Sequence, residues 1–155
     1  MIFCTIGTQA PFDRFIEIID ELAPSLNEEV IAQTLNGTYC AKNIKTVGLL
    51  SPSEFNEIFS KARIIISHAG VGTILSALTS NKPLIIFPRL AKLGEHRNEH
   101  QMATAEQMSK LGYVYVAYDR ESLQKQLVQK DLQPLKEIGS FASKSLIDEL
   151  HSVIG

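Results

Sequence analysis

Short apolar runs alternate with longer amphipathic segments along the whole 155-residue chain. Six runs read as strands: "IFCTI" (2–6), "EVIAQT" (29–34), "IKTVGL" (44–49), "RIIIS" (63–67), "PLIIFP" (83–88) and "YVYVAY" (113–118). Each is short, rich in β-branched or aromatic residues and bounded by turn formers. The runs "IFCTI", "RIIIS" and "PLIIF" are nearly continuous rather than alternating. That pattern predicts strands covered on both faces in a parallel sheet.

The intervening segments carry helical period. Over 11–22, Phe12, Phe15, Ile16, Ile19 and Leu22 share one stripe, and Asp13, Arg14, Glu17 and Asp20 are left for water, with Pro11 in the first turn. Ser51, Pro52 and Glu54 form a capping box with proline at the first helical position, which predicts a helix start there. A short helix is expected over 72–80. A longer one over 98–111 has Met102, Ala105, Met108 and Leu111 inward and Gly112 as its stop. Two further helices are expected over about 120–129 and 134–152. There is no internal repeat, low-complexity tract or linker, so residues 1–155 read as one domain. The alternation predicts an α/β fold: a doubly wound, mostly parallel six-stranded Rossmann-like sheet with helices on both faces and right-handed crossovers. In such sheets ligands bind beyond the carboxyl ends of the strands. The loops after strands one, four and five are therefore the ones to inspect.

Charge narrows the classes of partner. Fifteen Lys and Arg against 17 Asp and Glu give a formal net charge of -2, which argues against broad attraction to nucleic acid. A bound anion must then be held locally. Two cysteines, Cys4 and Cys40, do not make a disulfide framework and suit a reducing, cytoplasmic setting. The opening "MIFCTIG" lacks the shape of a signal peptide, and no stretch approaches the roughly 20 apolar residues that span a bilayer.

After strand four comes Ser67, His68, Ala69, Gly70, Val71, Gly72, Thr73. Small residues let backbone approach a ligand, and the first N–H groups of the following helix lack partners within it. This is an anion site in outline, to which His68 adds a hydrogen bond or, when protonated, a charge. The same residues are also accounted for by a tight strand-to-helix turn and a satisfied buried histidine. After strand one, Gly7 and Thr8 offer backbone and hydroxyl donors at the same edge, or simply a turn and a helix cap. After strand five, the stretch "RLAKLGEHRNEHQ" brings Glu95, Asn98, His100 and Gln101, hydrogen-bonding groups suited to a carbohydrate or to a solvated loop.

One motif points elsewhere. "HRNEH" (96–100) matches H-x-x-E-H, in which two His one helical turn apart bind zinc and Glu acts as base. A zinc hydrolase is thus the alternative reading, although no third ligand is evident. There is no Ser-His-Asp set, no Walker loop and no G-x-G-x-x-G after strand one.

The runs "ISHAGVGTILSALTSNKPLIIFPR" and "GEHRNEHQMATAEQMSKLGYV", with "FCTIGTQAPFDRF" before them, closely resemble a glycosyltransferase family. It is the donor-binding, carboxyl-terminal half of GT-B enzymes of the family that includes the peptidoglycan N-acetylglucosaminyltransferase. Within that family the chain is similar to the small subunits of two-part capsule and exopolysaccharide transferases of bacteria. It is also similar to the catalytic subunit of the dolichol-linked N-acetylglucosaminyltransferase. The resemblance covers about the first 118 residues. It implies a single GT-B half in which His68 and the backbone of Ala69, Gly70, Val71, Gly72 and Thr73 hold the diphosphate of a UDP-sugar. Asn98, His100 and Gln101, with Glu95 nearby, would meet the donor sugar. Ser76 stands where many such transferases have an acidic residue for the ribose hydroxyls, and a serine cannot accept two hydrogen bonds from a vicinal diol as a carboxylate does.

By this resemblance the helix amino terminus and His68 supply positive potential to the departing diphosphate, with no metal and no cofactor. The rest of the active site would come from a membrane-anchored, acceptor-binding subunit presenting a lipid-linked saccharide at the cytoplasmic face of the membrane. A non-catalytic module that only stabilises such a partner is the other alternative.

Overall fold

The computed structural model of the protein describes residues 1–8, 10–35, 37–129 and 132–134. It contains β1 (Ile2–Thr5), α1 (Asp13–Leu22), β2 (Val30–Gln33), β3 (Lys45–Val47), α2 (Pro52–Lys61), β4 (Ile64–Ser67), α3 (Val71–Thr79), β5 (Leu84–Ile86), α4 (His100–Lys110), β6 (Tyr115–Val116) and α5 (Arg120–Leu127). The helix expected over 134–152 falls, from residue 135 on, outside the described residues. Each of the six expected strands is present, trimmed at its ends. β3 is the most exposed, as suits an edge strand.

The strands form one sheet in the order β3-β2-β1-β4-β5-β6, and every neighbouring pair is parallel. The chain winds outward from β1 to β3, then returns to β4 on the other side of β1. The order therefore reverses between β1 and β4, where Thr5 pairs with Ser67, and the crevice beyond that pair is where ligands bind in doubly wound sheets.

Two apolar layers explain the continuous strand runs. Ile2 and Cys4 of β1, with Ile64 and Ile66 of β4, pack against Phe15, Ile16 and Ile19 of α1 and Leu123 of α5. Phe3, Ile65 and Ile86 face the opposite way, toward Phe59, Ile74, Leu78 and Met108. A strand buried on both sides has no polar face to show, hence no alternation. Cys4 is buried and Cys40 exposed, and both are free thiols.

The expected end signals hold at the start of α2 and the end of α4. Ser51 Oγ accepts from Glu54 N at 3.2 Å, and Glu54 Oε1 accepts from Ser51 N at 3.3 Å, completing the capping box. Gly112 ends α4 with φ of 77°, a conformation that favours glycine. Three details differ from the sequence expectation. α1 begins at Asp13, so Pro11 precedes the helix rather than opening it. Asp20 is buried instead of solvated, because its carboxylate accepts from Tyr39 Oη at 2.5 Å and from the backbone of Lys42 and Asn43. In α4 the buried stripe is Gln101, Thr104, Ala105 and Met108, and Met102 and Leu111 are only half-buried. Packing beside a polar site has turned the helix toward its hydrogen-bonding residues.

Candidate functional site

β4 ends at Ser67, and His68 continues its line toward the crevice, donating its N–H to Thr5 O at 3.4 Å. The imidazole is held by a single side chain. Gln101 Oε1 accepts from Ala69 N at 3.2 Å and from Arg89 N at 3.0 Å, and Gln101 Nε2 lies 2.9 Å from His68 Nδ1. Two backbone N–H groups can only donate, so they fix which end of the amide faces them. The amide nitrogen must then donate to Nδ1, which places the imidazole proton on Nε2.

Gly7 and Gly70 flank that Nε2 edge. A Cβ at Gly7 would stand 2.8 Å from His68 Nε2, and one at Gly70 would stand 2.6 Å from it. Both glycines are there to admit the ring, and Gly7 also has φ of 79°. Burial, then the neighbouring charges of Arg89 and His96, lower the His68 pKa to about 4. At neutral pH the side chain is thus an uncharged N–H donor, and the positive potential expected from it comes instead from the helix end.

α3 starts at Val71 with Gly70 as its N-cap and no side-chain cap. The amide of Ala69 is taken by Gln101 and that of Gly70 by His68 O at 2.9 Å, so these two cannot serve a ligand. The amides of Val71, Gly72 and Thr73 have no partner among the described residues, and the first intrahelical bond is Ile74 N to Gly70 O at 3.1 Å. Gly72 and Thr73 line a cavity of about 520 Å³, and Val71 precedes them in the chain. A Cβ added at Gly72 meets nothing within 4 Å, so no protein contact requires glycine there.

Of the residues expected at the diphosphate, Gly7, Thr8, His68, Gly70, Gly72 and Thr73 line this cavity, and Ser76 does too. Ala69 and Val71 contribute no lining. The sequence reading missed the opposite wall, made by Gln33 of β2, Leu50, and Pro52, Phe55 and Asn56 of the first turn of α2. The signal was the loop after strand three, which the sheet order brings to the same edge. Gln33 is buried and accepts from Thr5 Oγ1 at 2.7 Å, tying β2 to β1 at the floor.

The loop after β5 is differently disposed. Arg89 is 3% exposed and donates to the carbonyls of Ile6, Ala10, Pro11 and Glu95 at 2.7 to 3.4 Å. It lies over the Phe12 ring, and sequence reasoning gave it no role. Both Glu95 oxygens are engaged, by Arg14 at 2.8 and 2.9 Å and by Leu90 N at 3.0 Å. Asn98 Oδ1 accepts from His100 N at 3.0 Å and stands 3.1 Å from His96 Nδ1. His100 is exposed and lines neither this cavity nor a smaller one of about 200 Å³ behind His68. The four residues expected at a donor sugar are therefore split. Gln101 positions His68, Glu95 is taken by Arg14 and Leu90 N, Asn98 is bonded within the loop, and His100 lines neither cavity. Glu95 still borders the smaller cavity, with Thr8, His68, Arg89, His96 and Arg97.

The zinc reading fails on geometry. Residues 95–99 form bends and α4 begins only at His100, so His96 and His100 are not one helical turn apart on a common face. Among the described residues no group of three or more His, Cys, Asp or Glu can hold a metal ion.

A family model, the glycosyltransferase family 28 C-terminal domain, matches residues 1–149. The chain belongs to that family. Curated relatives include the UDP-N-acetylglucosamine transferase subunit ALG13 of Candida albicans, 34% identical over 71 residues, which are 46% of this chain and 23% of that protein. The subunit of the same name from Debaryomyces hansenii is 30% identical over 99 residues, 59% of this chain and 45% of that protein. The human one is 28% identical over 127 residues, 74% and 11%. The chain thus spans less than half the length of these relatives. Among solved structures, the NMR structure of ALG13 superposes with a TM-score of 0.62 at 21% identity, covering 96% of this chain and 93% of that one. The Streptomyces glycosyltransferase SsfS6, crystallised with thymidine diphosphate, gives 0.58 at 16% identity, covering 99% of this chain and 35% of that one. These likenesses show the fold: one Rossmann-like half of a GT-B glycosyltransferase. Among the described residues of this family 28 domain, no helix is long and apolar enough to cross a membrane.

Proposed function

We propose that this family 28 domain is the donor-binding, catalytic subunit of a UDP-sugar-dependent glycosyltransferase. It is completed by a membrane-anchored subunit that presents a lipid-linked acceptor for cell-surface polysaccharide synthesis at the cytoplasmic face. The observation that carries the reading is the set of three unpartnered amides, Val71, Gly72 and Thr73, at the start of α3, where Gly72 and Thr73 line a cavity of about 520 Å³. A helix amino terminus with its N–H groups free is an anion site, and the adjoining wall of Leu50, Pro52 and Phe55 suits the flat face of a base. The subunit naming of the ALG13 relatives supports a two-part enzyme.

In this assignment the diphosphate rests on the three amides and accepts from His68 Nε2–H, with the Thr8 hydroxyl at its side and Ser76 toward the ribose. The acceptor hydroxyl attacks the anomeric carbon of the donor. The bond from that carbon to the diphosphate oxygen breaks, the electron pair leaves with UDP, and the acceptor proton passes to a base on the partner subunit. The amides and the His68 N–H meet charge as it grows on the leaving oxygen, which is where fixed donors lower a barrier. Gln101 keeps the Nε2–H aimed by occupying Nδ1.

Calorimetric titration of UDP and UDP-sugars into the domain, alone and with its co-expressed partner, tests the assignment. Saturable UDP binding is the expected result. His68→Ala should cost about tenfold or more in transfer and less in UDP affinity, as for loss of one donor to the leaving group. No UDP binding with the partner present would overturn the donor role. Binding without any transfer would reduce the domain to a non-catalytic module.

A further inference from the structure

Among the described residues, the cavity behind His68 is bordered by more positive charge than its one carboxylate balances. Arg89 and Arg97 both border it, and the one carboxylate there, Glu95, is already held by Arg14 through two nitrogens. Arg89 donates to four main-chain carbonyls, which satisfies its donors, and Glu95 offsets part of its charge. Arg97 is exposed and makes no hydrogen bond or ion pair among the described residues. Glu99, two residues on, borders neither cavity. His96 borders the same cavity, and after burial it and Arg89 both lower the His68 pKa.

The donor diphosphate does not account for Arg97. Gly72 and Thr73, whose amides are free, line the larger cavity, which Arg97 does not border, whereas His68 and Thr8 border both. A group attached to the diphosphate and passing His68 enters the smaller cavity, which Arg97 borders. A neutral hexose would leave the Arg97 charge without a counter-charge. A sugar carrying a carboxylate would meet a planar donor fork matched to two oxygens.

We propose that Arg97 is a specificity residue and that the sugar transferred is acidic, of the uronic-acid class, its carboxylate paired with the Arg97 guanidinium. This rests on the donor reading above and adds the class of sugar to it.

The test is competition binding to the domain with its co-expressed partner, using UDP, UDP-glucose, UDP-galactose, UDP-glucuronate and UDP-galacturonate. At least one uronate should bind about tenfold tighter than its neutral counterpart, the scale of a charge-assisted hydrogen bond. Arg97→Gln should erase that preference and leave UDP affinity unchanged, and Arg97→Lys should restore part of it. Arg97 is exposed, and an unchanged melting curve will confirm that Arg97→Gln is folded. UDP binding with no preference for either uronate, or a preference that survives in Arg97→Gln, overturns the proposal and leaves the donor role standing. An effect of Arg97→Gln confined to the KM of the lipid-linked acceptor also overturns it, since the guanidinium would then serve an acceptor phosphate. Failure of UDP itself to bind removes both.

Discussion

The loops after β4 and β5 hold like places in the fold, both leading into a helix and both at the carboxyl edge of the sheet. Their hydrogen-bond accounts are opposite. After β4 the amides of Val71, Gly72 and Thr73 are unspent, and Gly72 faces open space. After β5 nearly every strong group is spent at home: Arg89 on four carbonyls, Glu95 on Arg14 and Leu90, and Gln101 on His68, Ala69 and Arg89. Richness in donors and acceptors does not mark a ligand site. What remains after the internal bonds are counted does, and after β5 that remainder is chiefly Arg97.

The sharpest way to break this comparison is to unfasten the β5 loop. Arg89→Met keeps the apolar stem and strips the carbonyls of Ile6, Ala10, Pro11 and Glu95 of a common donor. It should cost about 3 kcal/mol of stability, read by urea denaturation, because buried carbonyls left unpaired cost about 1–3 kcal/mol each. A loss below 1 kcal/mol, the size of an ordinary surface change, would mean that the loop is not held as described. In the β4 loop the sign should split. Gly72→Ala stabilises α3 by about 0.4–1 kcal/mol, because its backbone is helical and its Cβ meets no neighbour. The same methyl obstructs approach to the amides and should weaken UDP binding by about tenfold, the scale of overpacking. If UDP binding is unaffected, the ligand does not come to that backbone.

The smallest expected effect is an absence of slope. With the His68 pKa near 4 in the free protein, binding of a UDP-sugar should be flat between about pH 6 and 8. A bound diphosphate raises that pKa, so affinity should increase as pH falls through the bound-state value and level off below about 4. An affinity that declines as pH rises through about 6.5 would mean that a charged imidazole holds the phosphate. The same depression makes stability pH-dependent. The unfolded chain takes up the proton first, so up to about 3 kcal/mol is lost as pH falls from about 6.5 toward 4.

Periodicity and turn chemistry were enough to place the six strands, the capping box at Ser51 and the glycine stop at Gly112, since each is a local property of a few neighbouring residues. The glycine-flanked His68 was legible for the same reason. The partners of the polar side chains were not. Arg14 meets Glu95 81 positions later, and Gln101 meets His68 across 33. Only the folded sheet decides that Glu95 is a brace and Gln101 an orienting group. The wall from α2 was missed because its place at the site depends on β3 lying two strands from β1 in the sheet order, which no local pattern encodes.

If three amides at the start of α3 receive the diphosphate, amide-resolved NMR reads the contact residue by residue. Titrating UDP into ¹⁵N-labelled protein should move the resonances of Val71, Gly72 and Thr73 to saturation, with Gly7 and Thr8 following, and leave those of Ala91, Lys92 and His100 in place. Saturable shifts confined to the β5 loop, or none at the start of α3, would contradict the account.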